Sequence, residues 1–336
     1  MEVYDDLAIF GLGVSYPNGA DGTMGLLGKH YPMRVLDTPA SESTVTGLAI
    51  GAAISGARTL VHHGRVEFAL FAADQIVTQA ANWNYMFGGK SPVSVTFRIA
   101  IGRQWGNGPQ HTASHVSLFT ATPGLKVVCP SSPESAFELI QWAVADGNPV
   151  VFLEPRWLYQ LEQEIDLSLN GSLPAEPALV REGEDATIVS FGEGVLESVL
   201  ASELLAKHGV LCDVIDLRVL SPLDLSKVVM SVQKTRRLIV VDPYSRHSGV
   251  GDQILSSLSQ LQSIDLRLPP KLLAPPFVPV PTATTLSEAY YSAVRSNNIA
   301  AEAAKMFDLK LELRNETFDE LHLAPRTRIG KNWQIL

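Results

Sequence analysis

The sequence predicts an α/β protein made of two doubly wound domains. Two observations carry this. Short, wholly apolar runs alternate with stretches of helical period, the signature of parallel strands covered on both faces. That alternation breaks over a polar, irregular stretch at 162–183 and then starts again. With 336 residues the chain is also longer than one domain of ordinary size. The expected division is a first domain over 1–165, a linker over 166–184, a second domain over 185–310 and a tail over 311–336.

Composition narrows the function. Apolar residues make up 46% and charged residues 18%, as in a globular protein with a large core. A net charge of −9 argues against a nucleic-acid surface, which needs a basic stripe. No apolar run reaches the ~20 residues of a bilayer span. The start, MEVYDD, is acidic and does not read as a secretory signal. Cys129 and Cys212 each lie in an apolar run and read as buried thiols, so a reducing, cytoplasmic setting is expected.

In the first half, Leu7 to Phe10 is a buried strand entering a glycine-rich loop, and Gly19-Ala-Asp-Gly22 reads as a turn. Asp37-Thr38-Pro39 sets a turn, since proline holds Thr38 out of the helical region. From Ser43 the residues become small and apolar. Gly47, Gly51 and Ser55, four apart, form a smooth ridge that suits either a subunit contact or packing inside the domain. Glu42 stands at the helix start. It is either a partner for the helix dipole or a working group held in a dry site.

Thr59 to Val61 is strand-like, and the neighbouring His62-His63 point to opposite faces, a poor metal clamp, so loop or interface roles are expected of them. Glu67 to Met86 reads as one helix with Phe68, Phe71, Ile76, Ala80, Trp83 and Met86 as an inward stripe, closed by Gly88-Gly89. Pro92 to Arg98 is a β-branched strand. The stretch from Ile99 to Ser114 is a long loop, and loops of that length carry function. Within it His111 is either a proton-transfer group or a surface histidine, with His115 one helical turn on. Gly124 to Cys129 is a strand, Ser131-Ser-Pro-Glu134 has the form of a capping box, and the helix runs to about Ala145. Val150 to Leu153 is a further buried strand.

The second half repeats the alternation. Ala186 to Phe191, Val210 to Ile215 and Arg237 to Asp242 read as strands. Val195 to His208, Asp224 to Val232 and Gly251 to Leu261 read as helices. A last helix begins near Asn297. The tail either lies over a neighbouring subunit or is disordered.

Taken together, DTPASE at 37–42, FAADQIVTQAANWNYMFGG at 71–89, GRQWG at 102–106, PGLKVVCPSSPESA at 123–136 and GNPVVFLEP at 147–155 are followed by VIDLRVLSPLD and SVQKTRRLIVVD. In that order and spacing they closely resemble the β subunit of the 2-oxo-acid dehydrogenase first component. More broadly, they resemble the transketolase-like thiamine-diphosphate enzymes. The resemblance implies a transketolase-like pyrimidine-binding domain followed by a transketolase C-terminal domain.

It also implies site residues. Glu42 matches the acid that bonds a ring nitrogen of the thiamine pyrimidine, so that the cofactor's own amino group becomes a base. Phe68 matches the aromatic that stacks on that ring, and Ala40 matches a neighbour in the cofactor pocket. His111 matches a loop histidine that assists proton transfer or acyl hand-over. The family signature His-Ser-Gln reads His111-Thr-Ala113 here. Val95, Ala143, Asp146 and Asn148 match a structural potassium site built largely from carbonyl oxygens.

The implied activity is oxidative decarboxylation of a 2-oxo acid with acyl transfer to lipoyl or another acceptor. The implied assembly is an α₂β₂ tetramer with a second β subunit. The α subunit, through a Gly-Asp-Gly…Asn motif, holds the cofactor's diphosphate and Mg²⁺, and a lipoyl-bearing acyltransferase is the further partner. The alternatives are a non-catalytic scaffold or regulatory paralogue, or the β half of a split transketolase-like enzyme.

Overall fold

The structure, a computed structural model, describes residues 1–102, 107–166 and 175–311. Among these, the strands form two sheets. The first has the order β10-β5-β6-β4-β3-β1-β2 and the second β12-β11-β8-β9-β7. The first sheet is built from β1 (Leu7–Gly11), β2 (Val35–Asp37), β3 (Arg58–His63), β4 (Val95–Ile101), β5 (Lys126–Val128) and β6 (Val150–Pro155), all mutually parallel. All seven residues of β4 are buried, as expected for a central parallel strand with both faces covered.

The second sheet holds β7 (Ala178–Arg181), β8 (Ala186–Ser190), β9 (Cys212–Asp216), β11 (Leu238–Val241) and β12 (Lys271–Leu273). The seventh strand of the first sheet, β10 (Val219–Ser221), lies in the second half of the sequence. It crosses over and pairs antiparallel with β5, Val219 opposite Val128. One apolar core therefore runs through both halves, from Val61 and Phe97 to Phe191 and Val240. The seam is tight. A Cβ added to Gly192 would lie 2.9 Å from Cys129 Sγ and 3.1 Å from Pro155, and Gly192 has φ +52°.

The helices that matter for the site are α1 (Glu42–Ile54), α2 (Ala81–Met86), α3 (Val116–Thr120), α4 (Pro133–Ala145) and α5 (Glu193–Ala206). Beyond them lie α6 (Ser226–Thr235), α7 (Val250–Ser259), α8 (Thr284–Tyr291) and α9 (Ser296–Lys305). The sequence reading did not anticipate α8 or β12.

Several local expectations are corrected. The stretch 67–86 is not one helix. A short α turn (Val66–Ala69) passes into a 3₁₀ turn (Leu70–Ala72), a π-helix (Asp74–Ala80) and then α2. The wider π turn rotates what precedes it, so Ile76 and Ala80 are buried while Phe71 is 74% exposed. The Asn82 amide donates to the carbonyls of Val77 and Thr78 at 3.2 and 3.0 Å. The capping box is displaced by one residue. Pro133 takes the first helical position, so Ser132 is the cap and Ser135, not Glu134, closes the box. His115 is not one helical turn beyond His111, because it is left-handed (φ 45°) and caps α3. Part of the expected linker is ordered as β7 on the sheet edge, while 167–174, the tail from 312 and most of the GRQWG motif lie outside the described residues.

Cys129 and Cys212 are free and buried. Among the described residues no helix is long and apolar enough to cross a membrane.

Candidate active site

The order of the first sheet sets where a ligand goes. From β1 the chain moves outward to β2 and then returns to the other side of β1 for β3. In open parallel sheets, ligands bind beyond the carboxyl ends of the strands at such a reversal. Glu42, Phe68 and His111 all stand on that edge, after β2, β3 and β4 respectively.

Glu42 is the first residue of α1. The turn before it is held by Thr38 N donating to Gly11 O at 3.1 Å, by Ser41 N donating to Pro39 O at 2.8 Å, and by Gly13 N donating to the Asp37 carboxylate. Ala40 is exposed in this turn. Four residues on, and so on the same helix face, Thr46 Oγ1 is 3.2 Å from His63 Nε2, both side chains buried. Because α1 runs back along β3 from that contact, Glu42 overhangs the strand end from which Phe68 follows five residues later. Burial holds His63 down at about 4, so its ring is neutral at neutral pH. His62 is likewise held well below its usual value by burial first and by Arg98 beside it. Both histidines are strand residues inside the sheet and not loop groups.

Glu42 is half-buried rather than enclosed, since β2, which leads into it, is the outermost strand. Among the described residues its carboxylate makes no hydrogen bond and no ion pair. An acid in the first turn of a helix gains from the dipole.

Phe68 keeps 37% of its surface exposed. Its ring meets His111 edge-on, with centroids 5.7 Å apart and an interplanar angle of 89°. The structure thus brings together two of the expected site residues from loops after different strands. Glu67, which the sequence reading passed over, reaches the same loop, and its Oε1 accepts the Ala113 N–H at 2.6 Å. The only sequence signal for it was its position beside Phe68.

The expected potassium ligands fall in one place but with a competing cation. Asp146 caps α4, its carboxylate is paired with Lys126 Nζ, and its Oδ1 accepts Asn148 N at 2.9 Å. Ser94 Oγ donates to the Asp146 carbonyl at 2.7 Å, and Asn84 Nδ2 to Asn148 Oδ1 at 2.7 Å. Val95 and Ala143 are buried nearby in β4 and α4. With the carboxylate held by Lys126, a cation there would rest on main-chain carbonyls. Among the described residues no group of three or more His, Cys, Asp or Glu side chains converges as a metal site.

Comparison with known proteins agrees with this layout. Residues 6–162 match the family Transketolase, pyrimidine binding domain, and 176–295 match Transketolase, C-terminal domain. The chain is 40% identical over 283 residues to the acetoin:2,6-dichlorophenolindophenol oxidoreductase subunit beta of Cupriavidus necator, covering 84% of this chain and 83% of that one. It is 37% identical over 290 residues to the mitochondrial pyruvate dehydrogenase E1 component subunit beta of Saccharomyces cerevisiae, covering 84% and 79%. It is 34% identical over 307 residues to the corresponding subunit of Rickettsia felis, covering 90% and 93%. A solved structure, a split gene transketolase in an inactive beta4 tetramer, shares the fold with a TM-score of 0.72 at 19% identity, over 92% and 94% of the two chains. The chain belongs to the family of β subunits of thiamine-diphosphate-dependent 2-oxo-acid dehydrogenase-type enzymes, oxidoreductases that work as hetero-oligomers.

Proposed function

We propose that this chain supplies the pyrimidine half of a thiamine-diphosphate site, and that an α subunit completes it by holding the diphosphate and Mg²⁺. The observation that carries the reading is the half-buried Glu42 carboxylate without a partner of its own. It stands on the same strand edge as the Phe68–His111 pair. The names of the relatives point to pyruvate or acetoin as substrates. We take a small 2-oxo acid or its acyloin as the substrate class, with lipoyl on an acyltransferase as acceptor. The dehydrogenase relatives put this reading ahead of a scaffold or a split transketolase. We further propose a second β subunit in the assembly and a carbonyl-bound K⁺ near Asp146. The two free thiols fit a reducing, cytoplasmic setting.

The residues present fit such a cofactor. Thiamine diphosphate, when bound, supplies the carbon nucleophile and electron sink for cleavage beside a carbonyl. Glu42 would hold a proton against a pyrimidine nitrogen, an interaction that strengthens as the partner subunit excludes water. Phe68 would offer its open face to the pyrimidine ring. His111, in contact with Phe68, would move a proton to or from the reacting substrate.

The test uses the complex assembled with its α subunit. Glu42→Gln removes the acid and keeps the shape. Turnover should fall by roughly 10²-fold or more, the scale of a lost acid–base partner. Calorimetric titration of the wild-type complex should show Mg²⁺-dependent cofactor binding. Unchanged turnover in the variant would overturn the reading, and so would absence of binding.

A further inference from the structure

We infer that Glu67 is the positioning residue for His111, acting through the main chain of Ala113. The inference rests on the proposed role of His111. Residues 108–113 form a tight turn closed on itself: His111 N donates to Gly108 O at 3.2 Å, and Thr112 Oγ1 donates to the same carbonyl. Gly108 has φ +70°, and a Cβ there would lie 2.4 Å from Thr282 Oγ1, so the turn is also seated against the second domain. Such a turn is internally rigid, but internal bonds do not set where it stands relative to the site.

One main-chain bond, Gly102 N donating to Ala113 O at 3.3 Å, joins the loop to the end of β4, and Glu67 adds the side-chain tether at the same residue. Among the described residues, its 2.6 Å bond from Ala113 N is the only side-chain hydrogen bond joining 107–114 to the rest of the chain. A backbone N–H bonded to a carboxylate makes a charge-assisted bond, stronger than a neutral one. Glu67 is also the residue before Phe68. One short helical turn, Val66–Ala69, therefore fixes both the ring that His111 touches and the loop that carries His111. Shifts of about 1 Å at a reacting group cost up to roughly 10²-fold in rate, so a tether of this kind belongs to the machinery without touching the substrate.

Two variants separate the tether from the charge. Glu67→Ala removes the acceptor. Glu67→Gln keeps an oxygen acceptor and removes the charge that faces Arg65. Hydrogen exchange of the full chain, read on peptides spanning 107–115, does not depend on activity. Glu67→Ala should speed that exchange by tenfold or more, with core strands such as β4 unchanged, and Glu67→Gln should restore most of the protection. In the assembled enzyme, kcat should fall tenfold or more in Glu67→Ala, with KM and cofactor affinity nearly unmoved, and recover in Glu67→Gln. Unchanged exchange in Glu67→Ala would overturn the tether. Faster exchange with unchanged kcat would leave the tether and overturn the role given to His111. Equal losses in both variants would assign the effect to charge and overturn the inference.

Discussion

Phe68 and His111 meet edge to face, 5.7 Å between ring centroids, although they follow different strands of the sheet. The contact is worth about 0.5–1.5 kcal/mol by the usual range for such pairs. Phe68 remains over a third exposed, which leaves its face for a ligand. Phe68→Ala should therefore lower the stability of the chain by only about 1 kcal/mol. Cofactor affinity in the assembled enzyme should fall by an order of magnitude or more. Thermal unfolding and calorimetric titration read the two effects separately, and a large stability loss with unchanged affinity would make Phe68 a core residue.

On the acid side of the stability curve Asp216 and His63 act in opposite senses. Asp216 is fully buried, and desolvation lifts its carboxyl to about 6 against the hydrogen bonds it accepts from Ser131 and Arg218 N. A carboxyl raised in the folded state binds more protons there, so stability falls as pH rises from about 4 to 6, by about 3 kcal/mol. His63, lowered to about 4, works the other way: stability is lost as pH falls from about 6.5 toward 4. Asp216→Asn can still satisfy both partners. It should gain about 2–3 kcal/mol above pH 6 and almost nothing near pH 4, as urea unfolding across that range would show. A gain independent of pH would refute the argument.

The ridge on α1 faces outward at Gly51 and Ser55, while a Cβ at Gly47 would lie 3.3 Å from Gln75 Oε1 inside the domain. A Cβ at Gly51 would meet nothing within 4 Å, and Leu48 beside it is 56% exposed. Gly51→Ala should stabilise the lone chain by up to about 1 kcal/mol through helix propensity. Gly51→Leu should be tolerated by the lone chain and weaken assembly, which sedimentation measures. Unaltered assembly would place the subunit contact elsewhere.

The central strands were readable because each holds a short run of apolar and β-branched residues. The edges were not. β7 and β12 are short and half-exposed, and β10 is three residues whose partner lies far back in the chain. The stretch 67–86 misled because apolar spacing does not register the extra residue of a π turn. Ser131 and Glu134 have the spacing of a capping box, but Pro133 takes the first helical position, which makes Ser132 the cap. Glu42, Phe68 and His111 emerged from motif order. Glu67 did not, since its role exists only where the chain returns 46 residues later.

The crossing of β10 onto β5 bears on how such chains are inherited. A break at the linker would strip the first sheet of its last strand and leave the β5 edge open to promiscuous pairing. Recombination between paralogues should therefore exchange this subunit whole, and fragments ending near residue 165 should be recovered mainly as aggregates.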